Sequence, residues 1–266
     1  RGESAQVLVI IDGSEAMASQ SALNAATTTI QEYSVKLLSK MLNRRAMGNV
    51  MASPIDLRTR MLYNPTMRSV NLMVPGIFGM IMQQQIVLLT AFSIVRERET
   101  GTMEQLLVTP IRPWELMLGK MIPNVAIPLL NMATVLALGV YWFKVPFKGD
   151  IGLFWALTFL FILTSLGLGL LVSTVSTTQG QAQQLSMVVM LPGMILSGFI
   201  FPRETMPPLL RCVGNMLPLT YFLEIVRGIM TKGVGINYLW GSVTALAVFG
   251  VIVFTVSALT FRGRLD

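Results

Sequence analysis

The densest chemistry in this sequence is a charged run, Arg96-Glu97-Arg98-Glu99, followed by Gly101, Thr102, Glu104 and Gln105. Arginine and glutamate alternate here without a histidine, cysteine or serine nucleophile beside them, so the run is suited to contact and to force transfer rather than to bond breaking. Thr102 and Gln105 stand at capping-box spacing, which predicts a new short helix starting at that point. Met103, Leu106 and Leu107 give that helix one apolar face, Pro110 ends it, and Pro113 fits the first turn of the next helix. Such a segment is a short lever lying across a membrane face, with an exposed side for a partner and a buried side on the helices behind it. An ordinary solvated loop is the alternative reading of the same residues.

Three further groups of polar residues are set in apolar surroundings. Gln83, Gln84 and Gln85 stand in a row inside a hydrophobic stretch. Amides are unfavourable in hydrocarbon unless they find partners or water. Three consecutive residues cover about 200° of helix, so they cannot all share one face. Asn124 and Asn131 are seven apart, on one face of another stretch. For both groups, hydrogen bonding between helices and the lining of a transport path remain open. Ser165, Gly169 and Ser173 repeat at four-residue spacing and present a small-residue face on which another helix can pack closely. Glu224 and Arg227 are three apart on a short apolar segment and are expected to pair with each other. They are either an interfacial ion pair or a contact at an outer gate.

Much other chemistry is excluded. The chain has one cysteine, Cys212, and no histidine. It therefore cannot form an internal disulfide, a zinc site of cysteine and histidine, or a Ser-His-Asp triad. No G-x-x-x-x-G-K-[ST] phosphate loop occurs. The net charge of +7 comes from basic residues scattered between hydrophobic stretches. Headgroups and solvent, rather than nucleic acid, are their expected neighbours. The 19 methionines could line a promiscuous surface, but lipid contact and core packing account for most of them.

The elements that must hold these groups follow from composition. Hydrophobic residues make up 53% of the chain and charged residues 12%, against about 25% charged in a soluble domain. The apolar residues come in long runs, so the solvent they face is lipid. Five stretches stand out, at 70–95, 121–142, 151–175, 185–201 and 239–261. Four reach the roughly 20 residues needed to cross a bilayer, while the fourth is short and contains Pro192. Between the fourth and fifth, two short apolar helices bounded by Pro202, Pro207, Pro208 and Pro218 read as a re-entrant or interfacial hairpin.

Residues 1–69 differ. Gln6 to Ile11 reads as a buried strand and Ile55 to Tyr63 as a second strand. Leu23, Ala26, Ile30, Tyr33, Leu37 and Met41 recur at helical spacing between them. The expected fold is an all-α polytopic membrane bundle of about five transmembrane helices over 70–266, preceded by a partial α/β domain over 1–69. Basic residues do not orient it. The loops at 96–120 and 262–266 carry six Lys/Arg, as do those on the opposite face after residue 69. The chain begins at Arg1 close to a strand, and is expected to lack the start of a longer protein.

The run Glu97-Arg-Glu-Thr-Gly-Thr-Met-Glu-Gln-Leu-Leu-Val-Thr-Pro110, with Glu115-Leu-Met-Leu-Gly-Lys120 after it, resembles the signature of type-2 ABC transporter permeases of the bacterial multidrug-efflux kind. Tyr63-Asn64-Pro65, the segment from Gly167 to Gln179, Ser197-Gly-Phe-Ile-Phe-Pro202 and the segment from Pro218 to Gly228 resemble that family in the same order. Val9-Ile-Ile-Asp-Gly-Ser14 resembles a strand-turn of its extracytoplasmic domain. The resemblance implies six crossings in the full protein and a bacterial inner-membrane location. It places residues 1–69 outside and the 96–120 loop in the cytoplasm. It implies a permease that binds no cofactor itself, with ATP and Mg on a separate ATP-binding subunit. A second permease subunit, identical or similar, completes the path, and a periplasmic adaptor is a further candidate partner. By the same resemblance Glu97, Arg98, Glu99, Gly101, Thr102, Glu104 and Gln105 are the expected coupling residues.

The competing reading is an ATP-independent secondary transporter or channel. Such proteins place ionisable residues in mid-membrane, whereas the mid-span positions here hold amides. An intramembrane enzyme would need histidine or paired mid-membrane aspartates, and the sequence has neither.

Overall fold

The computed structural model describes residues 5–13, 16–44, 55–62, 70–101 and 113–262. Contacts divide the chain into two compact units, Arg1–Leu72 and Met73–Asp266.

In the first unit, β1 (Ala5–Asp12) and β2 (Ile55–Leu62) form a parallel pair in the register Ala5↔Ile55 through Asp12↔Leu62. Parallel strands cannot be joined by a hairpin, and α1 (Ala16–Arg44) makes the crossover. This helix contains neither glycine nor proline, which accounts for its length of 29 residues. Its covered face is shifted from the predicted one: Ser34 is buried while Tyr33 and Leu37 are exposed. Two strands offer too little sheet to cover the whole apolar stripe, and Leu8 and Ile10 are exposed for the same reason.

The second unit is helical. It comprises α2 (Val70–Glu99), α3 (Pro113–Ala137) and α4 (Ile151–Val175), then α5 (Gln179–Leu196), α6 (Pro208–Gly214), α7 (Pro218–Arg227) and α8 (Ile236–Arg262). Short π-helical turns extend α3 over Leu138–Trp142 and α7 over Gly228–Lys232. Among the described residues, four segments are long and apolar enough to cross a membrane: Met73–Glu99, Ile122–Trp142, Ile151–Val175 and Ile236–Ser257. The pair Pro208–Gly214 and Pro218–Lys232, bent by 85°, makes a fifth if counted as one broken span, and otherwise forms a re-entrant loop. The stretch at 185–201 is not among the four. It supplies the C-terminal part of α5, whose first two turns hold Gln179, Gln181, Gln183 and Gln184. Gly198, with φ +85°, lies in the bent chain beyond its end.

Proline sets the hairpin as the sequence predicts. Pro208 and Pro218 each open a helix, where the missing N–H costs nothing. Pro123 and Pro128 lie within α3 and Pro192 within α5, each helix continuing past them.

α4 is the central helix, with 61% of its most apolar window buried, against 17% for α3 and 22% for α8. Its main neighbour is α8. Its Phe161, Ile162 and Leu166 are buried in one cluster with Leu219, Phe222 and Ile225 of α7 and Leu246 of α8. Phe161 and Phe222 stack with ring centroids 3.9 Å apart. Exposed Tyr141 and Trp142 end α3, while exposed Tyr238 and Trp240 begin α8. The backbone N–H of Lys148, in the connection between α3 and α4, donates to the carbonyl of Met230 at the end of α7 at 3.1 Å.

Candidate functional sites at the two ends of the bundle

The charged end of α2 closes on the turn between α4 and α5. Arg98 Nη1 donates to the carbonyl of Ser173 at 3.3 Å and to that of Ser176 at 3.1 Å. These are the final carbonyls of α4, where the helix dipole is negative and backbone acceptors lack intrahelical donors. Glu99 accepts from the backbone N–H of Gln179 at 2.9 Å and from its Nε2 at 2.6 Å. Gln179 is the first residue of α5, where the dipole is positive and N–H groups lack acceptors. Two adjacent side chains of opposite sign thus meet the two helix ends of matching polarity.

The turn has its own support. Thr178 caps α5, accepting from Gln181 N at 3.2 Å. The Gln181 side chain accepts in return from Thr177 N at 3.0 Å and Thr177 Oγ1 at 2.8 Å. Gly101, at φ +67°, carries the chain out of α2, a conformation that glycine adopts without steric cost. Of the remaining predicted coupling residues, Glu97 is half-buried on the last turn of α2. Thr102, Glu104 and Gln105, with the helix expected over them, lie outside the described residues.

In mid-bundle the row of glutamines is dispersed, as a helix requires. Gln85 Oε1 accepts from Asn131 Nδ2 at 2.7 Å, joining α2 to α3. Gln83 and Gln84 turn instead to a narrow crevice against Ser186, Val189 and Met190 of α5 and Leu219 of α7. Asn124 is buried, one helical face along from Asn131. A double-mutant cycle of Gln85→Leu and Asn131→Leu should show a coupling energy of about 1–2 kcal/mol, the upper end for amide pairs between membrane helices. Unfolding titrations in mixed micelles provide the measurement, and additive single effects would contradict the contact.

Ser165 and Ser173 are fully buried and Gly169 lies between them on the same face. A Cβ on Gly169 would stand 2.6 Å from Cβ of Thr90 and 3.0 Å from the carbonyl oxygen of Val87, both on α2. On the opposite side of α4, a Cβ on Gly167 would meet Val253 of α8 at 3.0 Å. Ser257 Oγ donates to the Gly167 carbonyl at 3.1 Å. α4 is therefore held between α2 and α8 through its small residues.

At the other end Glu224, expected to pair with Arg227, is bonded within a wider network. Glu224 Oε1 accepts from Arg203 Nη1 at 2.6 Å, and its Oε2 accepts from Ser242 Oγ of α8 at 2.7 Å. Arg203 Nη2 also donates to Asn215 Oδ1 at the end of α6. Arg227 is buried, and its Nη1 donates to the carbonyl of Gly198 at 3.0 Å. The physical reason lies in α7. It is strongly amphipathic: Arg227 is buried together with Leu223 and Val226, while Glu224 is exposed. Arg211 adds bonds from Nε to Arg203 O at 3.1 Å and from Nη2 to Glu204 O at 2.9 Å. Arg203 thereby ties together the turn before α6, the end of α6 and the rim of α7.

Sequence reading missed Arg203, Asn215, Ser242 and Gln179 as functional candidates. A signal existed for the last, because Thr178 and Gln181 stand at capping-box spacing. Arg203 sits in a proline-bounded turn, where nothing local reveals a partner 21 residues away. No group of three or more His, Cys, Asp or Glu residues able to hold a metal occurs among the described residues.

An apolar bundle with small-residue packing, a charged helix end and a proline-bounded hairpin before the last helix defines a multi-pass helical membrane protein. The chain belongs to the ABC-2 family of transporter proteins, whose match covers residues 1–259, and it is a type-2 ABC permease. Among curated relatives it is 30% identical to YbhR of Escherichia coli K12, a probable multidrug ABC transporter permease, over 98% of this chain and 69% of that one. It is 32% identical to YbhS of the same organism, also a probable multidrug ABC transporter permease, over 97% of this chain and 65% of that one. ABC transporter G family member 20 of Dictyostelium discoideum is 29% identical over 88% of this chain and 32% of its own length. The chain thus spans about two thirds of the length of the bacterial relatives.

Proposed function

We propose that the chain is the membrane-spanning part of an ATP-binding-cassette exporter, moving a substrate out of the cytoplasm with energy from ATP hydrolysed on a separate ATP-binding subunit. Two permease subunits, identical or similar, enclose the path between them. The segment 96–120 receives the ATP-binding subunit on the cytoplasmic side, while residues 1–69 stand outside. Nucleotide-driven closure shifts the bundle between two packings, which requires contacts that differ between the states.

One observation carries the choice of energy source. The four long spans hold no ionisable side chain at mid-membrane, and their charges gather at the Arg96–Glu99 end. Ion-coupled transporters need titratable or ion-binding groups near the midplane. The multidrug names of the bacterial relatives support efflux. The arrangement at the outer rim supports a second element of the proposal: the α6–α7 hairpin closes the outer end of the path, latched by Arg203 and Glu224.

The full-length permease, reconstituted with its ATP-binding subunit, should export a lipophilic cationic dye such as ethidium with ATP inside and with the proton gradient collapsed by an ionophore. Replacing the phosphate-loop lysine of the ATP-binding subunit should stop it. Flux that survives that replacement and follows the proton gradient would establish the ATP-independent reading instead.

A further inference from the structure

Residues 98 and 99 are natural candidates for direct contact with an ATP-binding subunit, yet their side chains are already occupied within the chain. Arg98 Nη1 holds the last carbonyls of α4, Ser173 O and Ser176 O, and both carboxylate oxygens of Glu99 hold Gln179. The contacts cross 75 to 80 residues of sequence and join the end of α2 to the only described connection between α4 and α5. α4 is in turn the central helix, packed against α2 at Gly169 and α8 at Gly167. A displacement of the α2 end would therefore reach the middle of the bundle by two routes: the polar clamp at its end and the close backbone contact above it.

We propose that Arg98 and Glu99 are positioning residues that lock the end of α2 and the α4–α5 turn into one rigid body, so that a push on the segment after residue 99 moves α4 and α5 with α2. The division of labour is set by charge. The cation takes the carbonyl end of α4 and the anion takes the N–H end of α5, so exchanging the two residues would put each against a helix end of its own sign. The clamp involves neither residue as a docking contact. Docking falls to the residues that follow, and this assignment rests on the exporter reading above.

The test uses the full-length permease assembled with its ATP-binding subunit in lipid nanodiscs, in a Cys212→Ser background. Spin labels are placed at the exposed positions Arg96, Gln183 and Tyr238, in pairs, with labelled permease diluted by unlabelled permease. Distances are measured without nucleotide and after trapping with ATP and vanadate. With the clamp intact, the 96–183 distance should stay single-peaked and unchanged between states, while 96–238 and 183–238 shift together. In Arg98→Leu with Glu99→Ala, 96–183 should broaden, and 183–238 should lose its shift while 96–238 keeps its own. Arg98→Lys, which retains the charge and a donor, should preserve the coordinated shift; a clampless variant that fails to assemble is replaced by Glu99→Gln, which should give the intermediate pattern. A 96–183 distance that changes on trapping with the clamp intact would overturn the proposal. So would a 183–238 shift that survives in the clampless variant. If 96–238 itself never shifts although the ATP-binding subunit is bound, it is the exporter reading that fails.

Discussion

Replacing Gly169 by leucine should remove folded permease from the membrane. The Cβ alone would lie 2.6 Å from Thr90 Cβ and 3.0 Å from a backbone oxygen of α2. Backbone cannot rotate aside as a long side chain can, so α2 and α4 must separate. Overpacking of a well-packed site costs about 1–3 kcal/mol, occasionally more, and this site lies at the upper end because both opposing atoms are on a rigid helix. Separation would also break the Gln85–Asn131 bond and the Arg98 and Glu99 contacts, since α2 carries one side of each. Gly169→Ala should show a smaller loss of the same kind. Membrane yield and thermal melting in detergent measure both. A Gly169→Leu protein that assembles normally but exports a different set of compounds would mean that the position faces cargo rather than α2.

The second large effect is expected at the Arg203–Glu224 network. Glu224→Ala leaves Arg203 with Asn215 as its described side-chain partner and releases Ser242 of α8. Hydrogen bonds to charged groups are worth about 1.5–3 kcal/mol. The Glu224 side chain is 44% exposed and that of Arg203 17%, so solvent screening reduces this to about 1–2 kcal/mol. That changes a closed-to-open ratio by a factor of about 5–30. The variant should reach the membrane, and its ATP turnover without substrate should rise by a factor in that range. The charge swap Arg203→Glu with Glu224→Arg should recover part of the coupling. The swap with Arg227→Glu should recover none, because Arg227 is buried against the Gly198 carbonyl and a carboxylate there would face another acceptor. Basal turnover in Glu224→Ala equal to that of the unaltered protein would reduce the pair to an anchor at the membrane surface.

The helical bundle was legible because lipid makes hydrophobic length decisive: α4 begins and ends at the residues that bound its apolar run, and proline marks the starts of α6 and α7. The small-residue face of α4 was legible for a similar reason, since glycine and serine at four-residue spacing have few other uses in a membrane helix. Side-chain partners were less readable. Local spacing pointed Glu224 at Arg227, three residues away, but α7 rotates Arg227 into the core and the carboxylate takes Arg203 from the preceding turn. Gln85 and Asn131 were singled out separately as amides in hydrocarbon, and only the packing of α2 on α3 brings them together. The same holds at the Arg96–Glu99 end of the bundle. The two motifs around Glu99 and Gln179 lie 80 residues apart, and their complementarity depends on where α4 ends and α5 begins.

The central claim is that the segment following α2 receives an ATP-binding subunit in the cytoplasm. Single cysteines at Thr102 and Glu104, in a Cys212→Ser background, test it directly. In intact cells these positions should resist a membrane-impermeant maleimide, and in inside-out vesicles a short bifunctional cross-linker should join each of them to the ATP-binding subunit. Ready labelling of both positions from outside the cell, with no cross-linked partner from inside, would contradict the account.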